Sequence, residues 1–198
     1  MRPYAESCDQ NREPILEILR PLLRDVRSVL EIGSGTGQHA VYFSAHLPHL
    51  TWQTSDLIEN HAGINLWLDN EGSANALRPL VLDVRTGPWP ERQYGTVFSA
   101  NTVHIMGWES VDALFAGVGG VLESGGLFIL YGPFNYGGHY TSESNARFDE
   151  WLKARNPHSA IRNFEDLDAL AKKAGLVLHA DIEMPVNNRT LVWRKQAD

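Results

Sequence analysis

The feature that most constrains this chain is Glu31-Ile32-Gly33-Ser34-Gly35-Thr36-Gly37, three glycines at every second position behind an apolar run. Ser28–Ile32 reads as a short buried strand, and residues 38–47, with Ala40, Val41 and Phe43 available for packing, read as the helix that follows. Glycines between a strand and a helix permit tight turns and let a ligand approach the backbone. The free N–H groups at the helix start favour an anion, either a carboxylate or a phosphate. Spacing separates the known loops of this kind. A dinucleotide loop reads G-x-G-x-x-G and a P-loop reads G-x-x-x-x-G-K-[ST]. Here Gln38 stands where the dinucleotide pattern wants glycine, and the loop has no lysine. Glu31, two residues before the first glycine, is also foreign to a dinucleotide loop. Its carboxylate suits an ammonium group, held directly or through water.

Beyond this loop the chain alternates strand and helix. A first helix is expected from about Glu13, with Pro14 in its first turn and Pro21 ending or kinking it. Strands are expected at residues 51–55, 79–82, 96–100 and 127–131, and helices at 59–70, 110–122 and 142–155. Gly72 closes the first of these helices, and Thr141 or Ser142 caps the last. Asn163 with Asp166 resembles the opening of a further helix that stops before Gly175. The chain ends in two strands, 176–184 and 189–194, joined through Pro185 and Asn187-Asn188 as an antiparallel hairpin. Such alternation implies a mostly parallel sheet covered by helices on both faces. Sheets of this kind bind ligands at the carboxyl ends of their strands, so chemistry is expected directly after each strand.

Two acidic residues stand there. Asp56 ends the second strand, about 20 residues beyond the glycine loop, where a carboxylate can accept from ribose hydroxyls. Leu57 would then lie against a base. Asp83 follows the third strand, where it can accept from an adenine amino group while Val84 covers a ring face. With the glycine loop, the two acids describe an adenosine site built from three loops.

At 198 residues the chain is sized for one domain, taken as residues 1–198. Its net charge is -7, and Lys and Arg never cluster beyond a pair, which argues against a nucleic-acid partner. No stretch reaches the roughly 20 apolar residues of a membrane span. The N-terminus lacks the apolar run of a secretory signal, so a cytoplasmic location is expected. Cys8 is the only cysteine, which rules out an internal disulfide and is read as incidental. No H-E-x-x-H or cysteine-rich pattern calls for a metal.

These motifs resemble the class I S-adenosylmethionine-dependent methyltransferases. Residues 31–37 resemble the first motif, Asp56 the second and Asp83 the third. The resemblance implies S-adenosylmethionine (SAM) as cofactor and S-adenosylhomocysteine (SAH) as product. It also implies a three-layer Rossmann-like fold with strand order 3-2-1-4-5-7-6, the seventh strand antiparallel. Glu31, Gly33, Ser34, Gly35, Thr36, Gly37, Asp56, Leu57, Asp83, Val84 and Asn101 are the expected cofactor contacts.

A narrower likeness, to short methyltransferase-like proteins of bacteria and animals, rests on six segments. They are Asn11-Arg12-Glu13-Pro14, Trp52-Gln53, residues 101–104, Gly132-Pro133-Phe134, residues 141–145 and residues 184–188. This likeness implies the cofactor and is silent on the acceptor. The Asn-Pro-Pro-Tyr motif of methyltransferases acting on adenine or glutamine amino groups is absent.

Methyl transfer from a sulfonium asks the protein mainly to position and desolvate the acceptor. Asn101, after the fourth strand, can orient it or contact the cofactor, and His104 can serve as a base. The alternatives are a turn hydrogen bond and a packed residue. The aromatic, glycine-rich segment after the fifth strand offers Tyr131, Asn135, His139 and Tyr140 as substrate contacts, and Arg12 can recognise an acidic group. His39 either borders the methionyl end or packs. A small-molecule acceptor is expected, with oligomeric state open. The competing readings are a SAM-binding regulatory protein without methyl transfer and a protein side-chain methyltransferase.

Overall fold

The computed structural model describes residues 2–197. The chain forms two compact units, Met1–Ser99 and Ala100–Asp198. Seven of its strands make one sheet, and two short strands form a separate pair.

In the first unit α1 spans Glu6–Leu22, seven residues earlier at its start than the proline pattern suggested. Glu6 and Asp9 complement the helix dipole in its first turn, and Asn11, Ile15, Leu16 and Leu19 form the buried stripe. That burial outweighs the backbone bonds lost at Pro14 and Pro21, both inside the helix. β1 (Ser28–Ile32) is buried throughout, as a central parallel strand must be. It pairs in parallel with β2 (Thr51–Asp56) from Ser28↔Thr51 to Ile32↔Ser55, and with β4 (Tyr94–Ala100) from Val29↔Thr96 to Glu31↔Phe98. α2 (Gln38–His46) lies between β1 and β2 in the chain.

The helix expected at 59–70 is a short 3₁₀ turn, Ile58–Asn60, followed by α3 (His61–Glu71), with Gly72 at its C-cap. β3 (Ala76–Val81) contains Pro79, which an edge strand tolerates because its N–H side is free of a partner. The core of this unit packs Phe43, Trp52 and Phe98 with ring centroids 5.5–5.8 Å apart.

In the second unit α4 (Trp108–Val121) buries Val111, Leu114, Phe115, Val118 and Val121, the helical stripe read from the sequence. β5 (Leu122–Gly132) runs antiparallel to β9 (Asn188–Lys195), which pairs antiparallel with β8 (Leu176–Met184). The sheet order is β3-β2-β1-β4-β5-β9-β8. The seven sheet strands in chain order therefore read 3-2-1-4-5-7-6 with the seventh antiparallel, as the resemblance implied.

α5 (Glu143–Arg155) starts at Ser142, whose hydroxyl accepts the Asn145 N–H. α6 (Phe164–Lys173) starts at Asn163, but no side-chain cap forms there. Asn163 Nδ2 instead donates to Asp166 Oδ2 at 3.0 Å. The pairing of β6 (Phe134–Asn135) with β7 (Arg162–Asn163) joins segments nearly 30 residues apart, which no local pattern announces. Among the described residues no helix is long and apolar enough to cross a membrane.

Candidate functional site

In the first unit the glycine loop is hung from β2. The Gly33 and Ser34 N–H groups both donate to the Ser55 carbonyl, at 3.0 and 3.1 Å, and the Gly37 N–H closes a turn on Ser34 O at 2.9 Å. Gly33, Gly35 and Gly37 all have positive φ, which explains the alternate glycines. Two of them do different work. A Cβ on Gly37 would lie 3.1 Å from Ile64 Cα and 3.3 Å from Trp67 Cβ, so this glycine lets α3 approach. A Cβ on Gly35 would meet only Gly33 O, at 4.0 Å, so this glycine faces open space.

Asp56 is buried and heavily committed. Its Oδ2 accepts the Gly35 N–H at 2.7 Å, and its Oδ1 accepts both the Leu57 N–H and Asn60 Nδ2, each at 2.7 Å. These bonds also explain the 3₁₀ turn after β2. A carboxylate has about four acceptor positions. Asp56 therefore keeps room for one further donor on Oδ2, and a bidentate grip on a diol would require Asn60 or Leu57 to let go of Oδ1. Leu57, beside it, is 40% exposed, an unusual state for a leucine.

Glu31 lies behind the loop. Both bonds to its side chain fall on Oε2, from the Ser34 hydroxyl at 2.8 Å and Trp52 Nε1 at 3.2 Å. Burial pushes its carboxyl up to about 7, Asp56 adding to the effect and the two donors opposing it. Such a group is a prepared seat for a cation. The fit to the expected cofactor is sound on this observation, because an ammonium would neutralise a buried carboxylate that has no cation bonded to it.

Asp83 follows β3 at the same end of the unit, since the Leu82 N–H donates to Asp56 O at 3.0 Å. It is half-buried, and its Oδ1 accepts the Arg85 N–H at 2.9 Å, shaping a turn. Val84 is buried, whereas Leu57 and Ile58 after Asp56 and Val81 before Asp83 are exposed. Thr36 turns its hydroxyl to Gln38 Oε1 at 3.0 Å.

The sequence reading missed Gln38. Its carboxamide accepts the Ala5 N–H at 2.7 Å and donates to Ala5 O at 3.2 Å, so it binds the N-terminal segment as a strand would. Trp67 Nε1 donates to Pro3 O at 2.7 Å, which ties the same segment to α3. Cys8 stands where Glu31 and burial together push its thiol up to about 11, burial being the larger cause.

His39 packs. Its ring stacks on Phe43 at 5.2 Å, its Nε2 bonds Asn11 Oδ1 at 2.7 Å, and burial lowers it to about 4. Arg12 lies over the Tyr42 ring and donates to Asp9 Oδ1 at 2.7 Å, while its buried Nε has no partner. His46 and His49 bond the carbonyls of Tyr42 and Leu23.

In the second unit a second polar cluster surrounds the end of β5. Asn101 has a left-handed backbone, φ 57°, and its N–H donates to Tyr131 O at 2.9 Å. Left-handed non-glycine residues are uncommon, and asparagine tolerates the conformation best. A Cβ on Gly132 would lie 3.7 Å from His104 Nδ1 and 3.8 Å from Asn101 Oδ1, so these two polar atoms face the side of the glycine that has no side chain. His104 is buried, its ring edge-on to Phe148 at 5.4 Å, and its Nδ1 has no partner. Burial, with the Arg162 guanidinium as the lesser cause, lowers it to about 4, so the imidazole is neutral at pH 7. Asn135 is buried with Oδ1 unpartnered, and Tyr131 is buried nearby in the chain.

His139 is exposed on a tight turn that its N–H and carbonyl make with Tyr136. The Tyr140 hydroxyl donates to Asp149 Oδ2 at 2.7 Å, an oxygen also held by Lys153, while the Ile161 N–H donates to Asp149 Oδ1 at 2.7 Å. Sequence reasoning missed Arg162. Its guanidinium bonds the carbonyls of Val103, Met106 and His158, bracing the loop that carries His104. No spacing rule links residue 162 to residue 103.

One family model matches residues 2–195, and its description is Protein of unknown function (DUF938). Solved structures share the fold. An O-methyltransferase family protein from Burkholderia thailandensis matches with a TM-score of 0.78 at 15% identity, over 93% of this chain and 56% of its own. An O-methyltransferase family 2 protein from Planctomyces limnophilus, in complex with apigenin, matches at 0.81 and 15%, over 93% and 56%. PigF with SAH matches at 0.75 and 17%, over 93% and 57%. The chain thus spans about half the length of the structures it matches. At these identities the likeness establishes the fold, which is that of the class I methyltransferases.

Proposed function

We propose that this chain, which belongs to the family described as Protein of unknown function (DUF938), is a SAM-dependent methyltransferase acting on a small-molecule acceptor. The observation that carries the reading is the buried Glu31 carboxylate behind a loop of alternate left-handed glycines that Asp56 clamps at Gly35. Dinucleotide and triphosphate loops have no use for a buried acid there, whereas an amino-acid ammonium does. The narrower likeness to short methyltransferase-like proteins belongs to the same reading, as do one domain over residues 1–198 and a cytoplasmic setting.

In this reading Glu31 holds the ammonium and the N–H groups opening α2 face the carboxylate. Asp56 accepts one ribose hydroxyl, Leu57 covers the base, and Asp83 takes its amino group. When bound, SAM supplies a sulfonium methyl for in-line displacement, leaving SAH. Asn101 and His104 are assigned to the acceptor. Since burial weakens His104 as a base, its part is to position a group as a neutral hydrogen-bonding partner, and the acceptor's proton leaves to water.

Calorimetric titration with SAM and SAH tests the cofactor, with micromolar binding expected. Tight binding of NADH with none of SAM would overturn the reading. Transfer of a labelled methyl group into a metabolite extract supports a small acceptor. Label found only in protein bands would move the reading to side-chain methylation. Stable SAM binding with no labelled product in either extract would make the chain a regulatory SAM-binding protein.

A further inference from the structure

Among the described residues of the second unit, three polar side chains more than nine-tenths buried have an unpartnered atom. Thr190 lies within β9; the other two follow β4 and β5 and are His104, 5% exposed with Nδ1 unbonded, and Asn135, 7% exposed with Oδ1 unbonded. Leaving such an atom without a partner is costly, so His104 and Asn135 are each expected to meet one when a ligand is present. Neither is loosely placed. The His104 ring is packed edge-on to Phe148, and its carbonyl accepts the Ala160 N–H at 3.0 Å. Asn135 is fixed by the register Asn135↔Asn163. Gly132, three residues before Asn135, leaves open the space that His104 Nδ1 and Asn101 Oδ1 face.

The charge acting on His104 is the Arg162 guanidinium. Asp149, which acts on Arg162, is already taken by Tyr140, Lys153 and the Ile161 N–H. Asp181 is taken by the Tyr136 hydroxyl and Arg189. An ammonium entering beside His104 would be desolvated near a guanidinium, and neither Asp149 nor Asp181 is free to pair it, a costly arrangement.

We propose that Asn101, His104 and Asn135 together line the acceptor site, and that it takes an uncharged group bearing an O–H or N–H donor and rejects ammonium groups. This deepens the methyltransferase reading and rests on it. It also separates the candidate acceptors: phenols, alcohols and uncharged amines or amides fit, while lysine side chains and polyamines do not.

The test uses the isotopically labelled full chain, with and without SAH, and three probes on the same ring: phenol, aniline and benzylammonium. Resonances of the Asn135 side-chain amide and the His104 imidazole are followed through millimolar titrations. Phenol or aniline should move both, at least about tenfold more tightly than benzylammonium, and which of the two binds better decides between hydroxyl and amino acceptors. N135D should reverse the order by supplying a carboxylate. Should that variant misfold, N135S should weaken phenol or aniline without admitting the cation. Equal binding of benzylammonium to the wild type, or no movement of either signal with any probe, overturns the proposal. SAH binding in the same samples judges the methyltransferase reading separately.

Discussion

Glu31 offers the sharpest test of how this site is built. Its carboxyl lies at about 7 against an ordinary 4.5, burial being the main cause. For an acid whose pKa is raised by folding, stability is fully present below the unfolded value and is lost as pH rises through the folded one. The fold therefore carries a growing penalty from about pH 4.5 to about pH 7, reaching about 3 kcal/mol above that. E31Q removes the ionisation while keeping the shape. Because both donors, Ser34 and Trp52, reach the same oxygen, the glutamine carbonyl can accept both.

E31Q should thus leave stability nearly unchanged at about pH 4.5 and raise it at about pH 8 by up to about 3 kcal/mol, or roughly 6–12 °C in Tm. The same variant should bind SAM at least about tenfold more weakly, because the ammonium loses its partner. In the wild type, binding the cation should release a proton near neutral pH, so affinity should fall about tenfold from about pH 8 to about pH 6. Thermal melts at the two pH values and calorimetry in buffers of different ionisation enthalpy measure all three effects. If E31Q gains no stability at high pH, Glu31 does not bear a burial penalty. If its SAM affinity is unchanged, the ammonium does not sit there.

The two glycines should separate in their effects. G35A meets only Gly33 O at 4.0 Å, so it should cost the fold about 1 kcal/mol from its φ of 58° and weaken SAM binding more than stability. G37A drives a methyl group into Ile64 and Trp67 and should destabilise by about 2 kcal/mol or more, seen in urea unfolding. Comparable stability losses in the two variants would refute the distinction. Q38A should release the start of α1, read as faster amide exchange over residues 4–10, with β1 and β2 unaffected. V186G should stabilise by about 1 kcal/mol, because this exposed β-branched residue is held at φ 61° in the β8–β9 turn; an unchanged Tm would show that the turn carries no such strain.

What the sequence determined alone is what neighbours in the chain decide. The glycine loop, the buried β1 run, the stripe of α4, the Ser142 cap and the final hairpin each follow from spacing over a few residues, and the structure has all of them. So were Asp56 and Asp83 legible as acids at strand ends, and Asn101, His104 and Asn135 as polar residues beside them. What only the tertiary structure decided is the state of those groups. Asp56 is mostly spent on Gly35, Leu57 and Asn60, and Glu31 is held near neutrality by burial. His104 is a neutral imidazole under Arg162, and α1 starts early because Gln38 grips Ala5, 33 residues away. Burial and long-range hydrogen bonding depend on which distant segments meet. Periodicity records which face of an element turns inward, and it holds no record of what that face will find there.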